Sequence, residues 1–282
     1  MRRRNRKALA VLLATSLGGL IAFSVLDGSH AEAKASAAAA QPAAATKTVL
    51  VVGDSVAKMF STYFAKEAAK HGYSLVTAAW PGCPATGVPK ILSSGKPFKR
   101  TCAPLVANTQ DAMVKRYRPA LVIWWSRYEL APRIGPHGDV VPLGSQQWFR
   151  EQKAAFDKRV AALTSLGARL VTVQIEPPGP DLAVRNPGEH YFLPGQTLLH
   201  RPDVVNRWNA FLASHKGPDL FSISVKHLVC HNDKVPCNDN LPDGKSARPD
   251  GIHYSPTAMQ RFAPKIFNEI WHTAGLQAGR KL

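Results

Sequence analysis

The chain has 282 residues, of which 45% are hydrophobic and 20% charged; this is enough apolar matter for a buried core and excludes both a disulfide-stapled miniprotein and a wholly disordered chain. Its 36 Lys and Arg against 19 Asp and Glu leave a net charge of +17, which points to nucleic acid, an anionic envelope polymer or a membrane surface as neighbour. Four cysteines suit either a reduced cytosolic protein or two disulfides, so the compartment has to decide between them.

The N-terminus decides it. Arg2, Arg3, Arg4, Arg6 and Lys7 form a basic region, an uncharged run of 19 residues follows from Ala8 to Leu26, and Ala31-Glu32-Ala33 has the A-x-A form of a cleavage site. Residues 1–33 therefore read as an export signal. Because 19 apolar residues also just span a bilayer, an uncleaved N-terminal membrane anchor with its basic end inside is the alternative. Removing this segment takes away five basic and two acidic residues and leaves +14, so the charge belongs to the exported part. Residues 34–47 are rich in alanine and read as a linker. One domain over residues 48–274, with 275–282 as a C-terminal tail, is the economical division.

Within that domain, apolar runs alternate with helix-like stretches. Thr48–Gly53 (TVLVVG) has the form of a fully buried strand. Residues 56–71 carry apolar positions at helical spacing, and Gly72 closes them. Residues 75–79, 121–125 and 170–175 are further strands, with helices over 102–117 and 146–166 between them. Residues 203–215 read as a helix leading to a fifth strand at 221–225, and a last helix runs over 256–271 with Pro256 in its first turn. This alternation implies an α/β fold, a three-layer α/β/α sandwich on a mainly parallel sheet of about five strands. In such sheets reactive residues sit at the carboxyl ends of the strands.

Three strand ends carry chemistry. Gly53-Asp54-Ser55 follows the first strand and opens a helix, where N-terminal amides favour a developing oxyanion; taken alone it is an ordinary helix cap. Asp250-Gly251-Ile252-His253 precedes the final helix, and an Asp three residues before a His can fold back to hold one ring nitrogen while the other faces outward as a base. Pro81-Gly82-Cys83 follows the second strand, where a glycine lets a backbone N–H approach a ligand closely.

Together, in this order, these blocks resemble the SGNH (GDSL-like) esterase and acyltransferase superfamily over residues 48–271. They look closest to the SGNH domains associated with membrane acyltransferases that O-acylate envelope glycans, through Gly82-Cys83-Pro84 and the block Cys230, Cys237, Asp243-Gly244, Asp250 to Ser255. The resemblance implies a flavodoxin-like sheet, Ser55 as nucleophile, His253 as general base, Asp250 as its orienting carboxylate, and an oxyanion hole from the N–H groups of Ser55 and Gly82. No cofactor is implied. The chain departs from the family where a G-x-N-D asparagine is usual, since the third strand ends in Trp124-Trp125-Ser126-Arg127-Tyr128-Glu129. Ser126 and Arg127 are the candidates for substrate or oxyanion contacts there; a surface pair of Arg127 with Glu129 is the plain alternative.

Export favours oxidised cysteines. Of three connectivities, the sequence-local pairs Cys83–Cys102 and Cys230–Cys237 are expected. A zinc reading from Cys230, His231, Cys237 and Asp233 or Asp239 matches no usual spacing, so no metal is expected. His71, His137, His190, His200, His215, His227 and His231 are read as solvated or structurally satisfied. The Gly- and Pro-rich loops 132–143 and 177–199 are long enough to form a lid or binding wall. Trp124, Trp125 and Tyr128 either line a sugar cleft or, for the tryptophans, belong to the core.

The dispersed basic residues match no nucleic-acid module, which leaves an anionic envelope polymer or a solvated surface. The expected function is an exported serine esterase or O-acyltransferase working through an acyl-serine, secreted or anchored to the outer face of the cytoplasmic membrane. Its expected substrate is acetyl on envelope carbohydrate, its partner a membrane acyltransferase or anionic polymer, and its state a monomer. The alternatives are a general carboxylesterase or lipase, and a catalytically silent glycan-binding module.

Overall fold

A computed structural model describes residues 47–91, 102–135, 137–182, 201–232 and 234–276. Residues 1–33, expected to be an export signal or anchor, residues 34–46 of the expected linker, residues 183–200 of the expected binding wall with His190 and His200, Asp233 and residues 277–282 lie outside the described residues.

Five parallel strands form the sheet: β1 (Thr48–Gly53), β2 (Ser74–Ala79), β3 (Leu121–Trp125), β6 (Arg169–Val173) and β7 (Leu220–Ile223), in the order β2-β1-β3-β6-β7. Helices α1 (Ser55–Lys70), α2 (Cys102–Tyr117), α3 (Gln146–Thr164), α4 (Pro202–Ser214) and α6 (Pro256–Thr273) supply the crossovers and the two outer layers. Side chains alternate between the two faces of each strand. Val49, Val51, Ile123 and Trp125 point into the layer made by α1 and α6; Leu50, Val52, Val122 and Trp124 point into that made by α3 and α4. Both faces are apolar because both are covered, which is why these strands read as continuous hydrophobic runs.

The predicted strands and long helices appear with their ends moved by at most a few residues. Three short elements were not anticipated. The stretch 132–143, expected as a loop, contains an antiparallel pair, β4 (Arg133–Ile134) and β5 (Val140–Val141), and a short helix α5 (Lys226–Val229) follows β7. Two-residue strands and a four-residue helix are too short for any periodicity to register. Both expected disulfides are present, each with Cα atoms 5.5 Å apart.

The strand order positions the site. From β1 the chain crosses to β2 on one side, and the next strand, β3, lies on the other side of β1. The crevice outside the carboxyl ends of β1 and β3 is the topological switch point, the usual ligand position in open parallel sheets.

Candidate active site

At that switch point β1 turns sharply into α1. Gly53 has φ +150°, and a Cβ there would lie 1.8 Å from the Trp125 carbonyl oxygen at the end of β3, so no other residue fits the turn. Asp54 caps α1: its Oδ1 accepts the Val56 N–H at 2.9 Å. Its Oδ2 accepts the N–H groups of Arg127 (2.6 Å) and Tyr128 (3.1 Å), so this buried carboxylate also ties the first turn to the segment after β3. Burial raises the Asp54 pKa, and the three N–H donors only partly oppose it.

Ser55, the first residue of α1, places its hydroxyl beyond the carboxyl end of β1. Its Oγ lies 2.7 Å from Nε2 of His253, 198 residues further along the chain. Nδ1 of the same ring is 2.7 Å from Oδ2 of Asp250. The other oxygen of Asp250 accepts the N–H groups of His253 (2.6 Å) and Ile252 (2.9 Å), so the carboxylate organises its own loop as well as the ring. Burial pushes the Asp250 carboxyl upward, but the hydrogen bonds from the His253 ring and from these two N–H groups outweigh it and hold the pKa at about 2. Ser255 then caps α6, with Pro256 in its first turn. The three residues singled out as Ser, His and Asp therefore form one unbroken hydrogen-bonded relay.

The Gly82 loop is built onto this frame. Cys83 N–H donates to the Trp80 carbonyl at 3.1 Å and Gly82 has φ +79°, the pattern of a type II turn with Pro81 and Gly82 at its centre. Trp80 N–H donates to the Gly53 carbonyl at 3.0 Å, which anchors the turn beside Ser55. Further along, Ala85 N–H donates to Ser126 Oγ (3.3 Å), while Thr86 donates through N–H (3.1 Å) and hydroxyl (2.7 Å) to Glu129. Cys102 at the start of α2 holds the same loop covalently through Cys83.

These contacts revise the reading of the third strand end. Ser126 and Arg127 are each 3% exposed, with their side chains engaged inside the protein. The Ser126 hydroxyl supports the Gly82 loop. Arg127 donates to the Glu176 carbonyl at 2.5 Å, and its guanidinium lies 3.3 Å from the Glu176 carboxylate. The surface pair with Glu129 does not form: Glu129 is itself buried, held by Thr86 and by Gln152 at 2.6 Å. Trp124 and Trp125, at 2% and 0% exposed, line no cleft; Trp125 packs on Phe60 and Tyr254, and Trp124 on Phe156. Lys90 places its ammonium 3.6 Å above the ring of Tyr128, and burial lowers its pKa to about 7 against the pull of Asp54.

The sequence reading missed the group of charges behind His253. Tyr254 donates its hydroxyl to Glu176 at 2.7 Å. Arg248, fully buried, spans Asp239 (2.7 Å), the Pro177 carbonyl (2.6 Å) and Glu176 (3.8 Å). Burial pushes the Glu176 carboxyl up, but Arg127, Arg248 and the Tyr254 hydroxyl together bring it below the ordinary value; burial beside Glu176 drives the Tyr254 phenol well above its own. The available signal was Glu176 itself, a carboxylate three residues after the end of β6.

Elsewhere, Cys230 and Cys237 are joined to each other, which removes both thiolates from any metal set. His71 stacks on Trp271, His215 meets Asp157, His227 meets Glu269 and His231 meets the Asn240 carbonyl, while His137 is exposed. Among the described residues no helix is long and apolar enough to cross a membrane.

A family model described as SGNH domain (fused to AT3 domains) matches residues 26–267. No curated protein matches the sequence. Among solved structures the chain is similar to the periplasmic domain of a lipopolysaccharide acetyltransferase from Salmonella ser. Paratyphi A, with a TM-score of 0.53 and 15% identity over 80% of this chain and 84% of that one. It is also similar to a GDSL-like lipase from Bacteroides thetaiotaomicron VPI-5482, with a TM-score of 0.50 and 12% identity over 83% of this chain and 92% of that one. At these identities the likeness establishes the fold.

Proposed function

The chain belongs to the SGNH domain family, in which the domain is fused to AT3 domains, and on that premise we propose that it is an exported serine enzyme that removes or transfers an acyl group on envelope carbohydrate. The observation that carries this reading is the relay from Ser55 Oγ through the His253 ring to Asp250, with both links at 2.7 Å.

A serine hydroxyl is a weak nucleophile until a base takes its proton. As Ser55 Oγ attacks the ester carbonyl, its proton passes to His253 Nε2, and Asp250 steadies the imidazolium through Nδ1. The carbonyl oxygen becomes an oxyanion facing the N–H groups of Ser55 and Gly82. The bond from the carbonyl carbon to the departing alkoxide then breaks, and the alkoxide leaves with the His253 proton. Water or a sugar hydroxyl next attacks the acyl-Ser55 and gives its own proton to His253, which passes it to Ser55 Oγ as the bond between that oxygen and the acyl carbon breaks.

The solved neighbour that is the periplasmic domain of a lipopolysaccharide acetyltransferase supports acetyl on envelope carbohydrate as the substrate class, with a membrane acyltransferase as the source of the acyl group. Two disulfides support an oxidising compartment outside the cytoplasm.

A fluorophosphonate probe tests the reading directly. The folded chain is expected to label at Ser55, the Ser55→Ala variant to lose the label and His253→Ala to label more slowly. Failure of the wild-type chain both to label and to turn over p-nitrophenyl acetate would end the enzyme reading. Appearance of acylated sugar when a glycan acceptor is supplied separates transfer from hydrolysis.

A further inference from the structure

Beyond the reacting groups, the side of the molecule formed by α6 and the disulfide-braced segment before Arg248 is concave. Thr257, Arg261 and Lys265 follow one another at i, i+4 and i+8, so they form one stripe about 12 Å long on α6. Across from them stand Leu241, Pro242 and Asp243, in a segment braced by the Cys230–Cys237 bond. Three hollows of about 430, 350 and 350 Å³ share these walls and so form one groove. Its near end is bordered by Pro249 and Ser255, residues that flank Asp250 and His253. Its far end is bordered by Arg261, Lys265, His227 and His231.

The two ends differ in charge. At the near end Asp243 meets Lys245 at 3.4 Å and Asp181 stands on the same wall, so that end carries no excess of positive charge. At the far end Arg261 and Lys265 are exposed, and among the described residues neither pairs with a carboxylate. Glu269 is engaged with His227 instead, at 2.8 Å. The groove presents no exposed aromatic face on which a neutral sugar would stack; Phe262, on its wall, is 5% exposed. It also lacks the projecting apolar side chains that a lipid surface would take up, since the exposed large hydrophobics among the described residues, Leu105, Val140, Leu166 and Val235, do not line it.

We propose that this groove binds an anionic stretch of a polymeric glycan, with a carboxylate-bearing sugar at Arg261 and Lys265, while another unit of the same polymer is presented at Ser55. This rests on the acyl-transfer reading and deepens it: the substrate is a charged polymer rather than a small ester. Contacts made away from the reacting centre supply binding energy that holds the acyl ester or the accepting hydroxyl in register.

Binding is measured with polygalacturonate and the full chain carrying Ser55→Ala, which removes the nucleophile without touching the groove. Adding Arg261→Glu and Lys265→Glu is expected to weaken binding about tenfold or more and to remove most of its salt dependence, while Arg261→Lys stays within about threefold. With Ser55 restored and O-acetylated polygalacturonate as substrate, the double reversal raises KM by about tenfold and leaves kcat within about twofold. Thermal unfolding of each variant checks that it folds. Undiminished polygalacturonate binding in the double variant, or an equal loss on uncharged acetylated xylan, overturns the proposal. So does binding to phosphatidylglycerol vesicles without binding to polygalacturonate, which assigns the cationic end to a membrane. Failure of the acyl-transfer reading is a separate result: the wild-type chain then turns over no p-nitrophenyl acetate, yet polygalacturonate binding still decides the groove.

Discussion

Two neighbouring regions of the molecule handle charge in opposite ways. In the loop from Asp250 to His253, the carboxylate and the imidazole are each 35% exposed and three residues apart in the chain. Behind it, Arg248, Glu176 and Asp239 have fully enclosed side chains and come from two segments, the stretch after β6 and the loop between α5 and α6. The open loop is a local structure that orients one ring, the one assigned to proton transfer in the proposed function. The closed cluster clamps the ends of β3 and β6 to the C-terminal block through Arg127, Glu176, Tyr254 and Arg248. The two regions divide the labour: the charges of the proposed relay stay partly solvated, while the charges that fix their position are removed from water altogether.

The largest effect should come from the open loop and fall mainly on rate. Asp250→Asn preserves the size of the side chain, but with its amide oxygen held by the N–H groups of Ile252 and His253 it turns an NH2 toward Nδ1, so His253 adopts the wrong tautomer. We expect ester turnover to drop about 10⁴-fold, with a much smaller loss in the thermal midpoint near neutral pH, where the ionised Asp250 contributes stability. Steady-state kinetics with p-nitrophenyl acetate reads the first, and a melting curve reads the second. A variant that keeps its rate would remove Asp250 from the relay.

In the closed cluster the effect should fall on stability. Arg248→Met leaves the buried Asp239 carboxylate with the Ser246 hydroxyl at 3.0 Å as its remaining side-chain donor. Breaking a buried pair by removing one partner costs about 3–5 kcal/mol. The double variant Arg248→Met with Asp239→Asn removes the stranded charge and should lie closer to wild type than the single variant does. Urea denaturation of the set checks it. If the double variant is as unstable as the sum of the singles, the cluster is not coupled and the division of labour fails.

How much could be read in the sequence follows the same division. Gly53-Asp54-Ser55, the Asp250 to His253 loop and the Gly82 turn are short-range structures whose chemistry depends on neighbours in the chain, so their residues announce them. The parallel, doubly covered sheet was legible from the alternation of strands and helices, because such a sheet leaves a strong apolar signature. The role of the third strand end was not legible. Ser126 supports a loop 41 residues earlier, and Arg127 meets a glutamate 49 residues later, which no spacing rule contains. The base rate that puts arginines at the surface fails at Arg127 because Glu176 compensates its charge inside.

The finest test concerns two carboxylates that flank Ser55 and shift in opposite directions. Asp250 sits at about 2 against an ordinary 3.8, so it contributes stability that is full above about pH 3.8 and is lost as the pH falls toward 2. Asp54 is raised above 3.8, so the folded state takes up its proton more readily than the unfolded chain, and its contribution improves as the pH falls through that raised value. The acid limb of the wild-type stability curve is therefore a partial cancellation. Asp250→Asn should flatten the limb between about pH 4 and 2. Asp54→Asn should leave that window alone and remove a stabilising trend just above it. Urea midpoints taken at half-unit steps from pH 6 to 2 separate the two. An unchanged or steeper limb in Asp250→Asn would mean that this carboxylate is held no more strongly in the fold than in the unfolded chain, and the relay would lose its anchor.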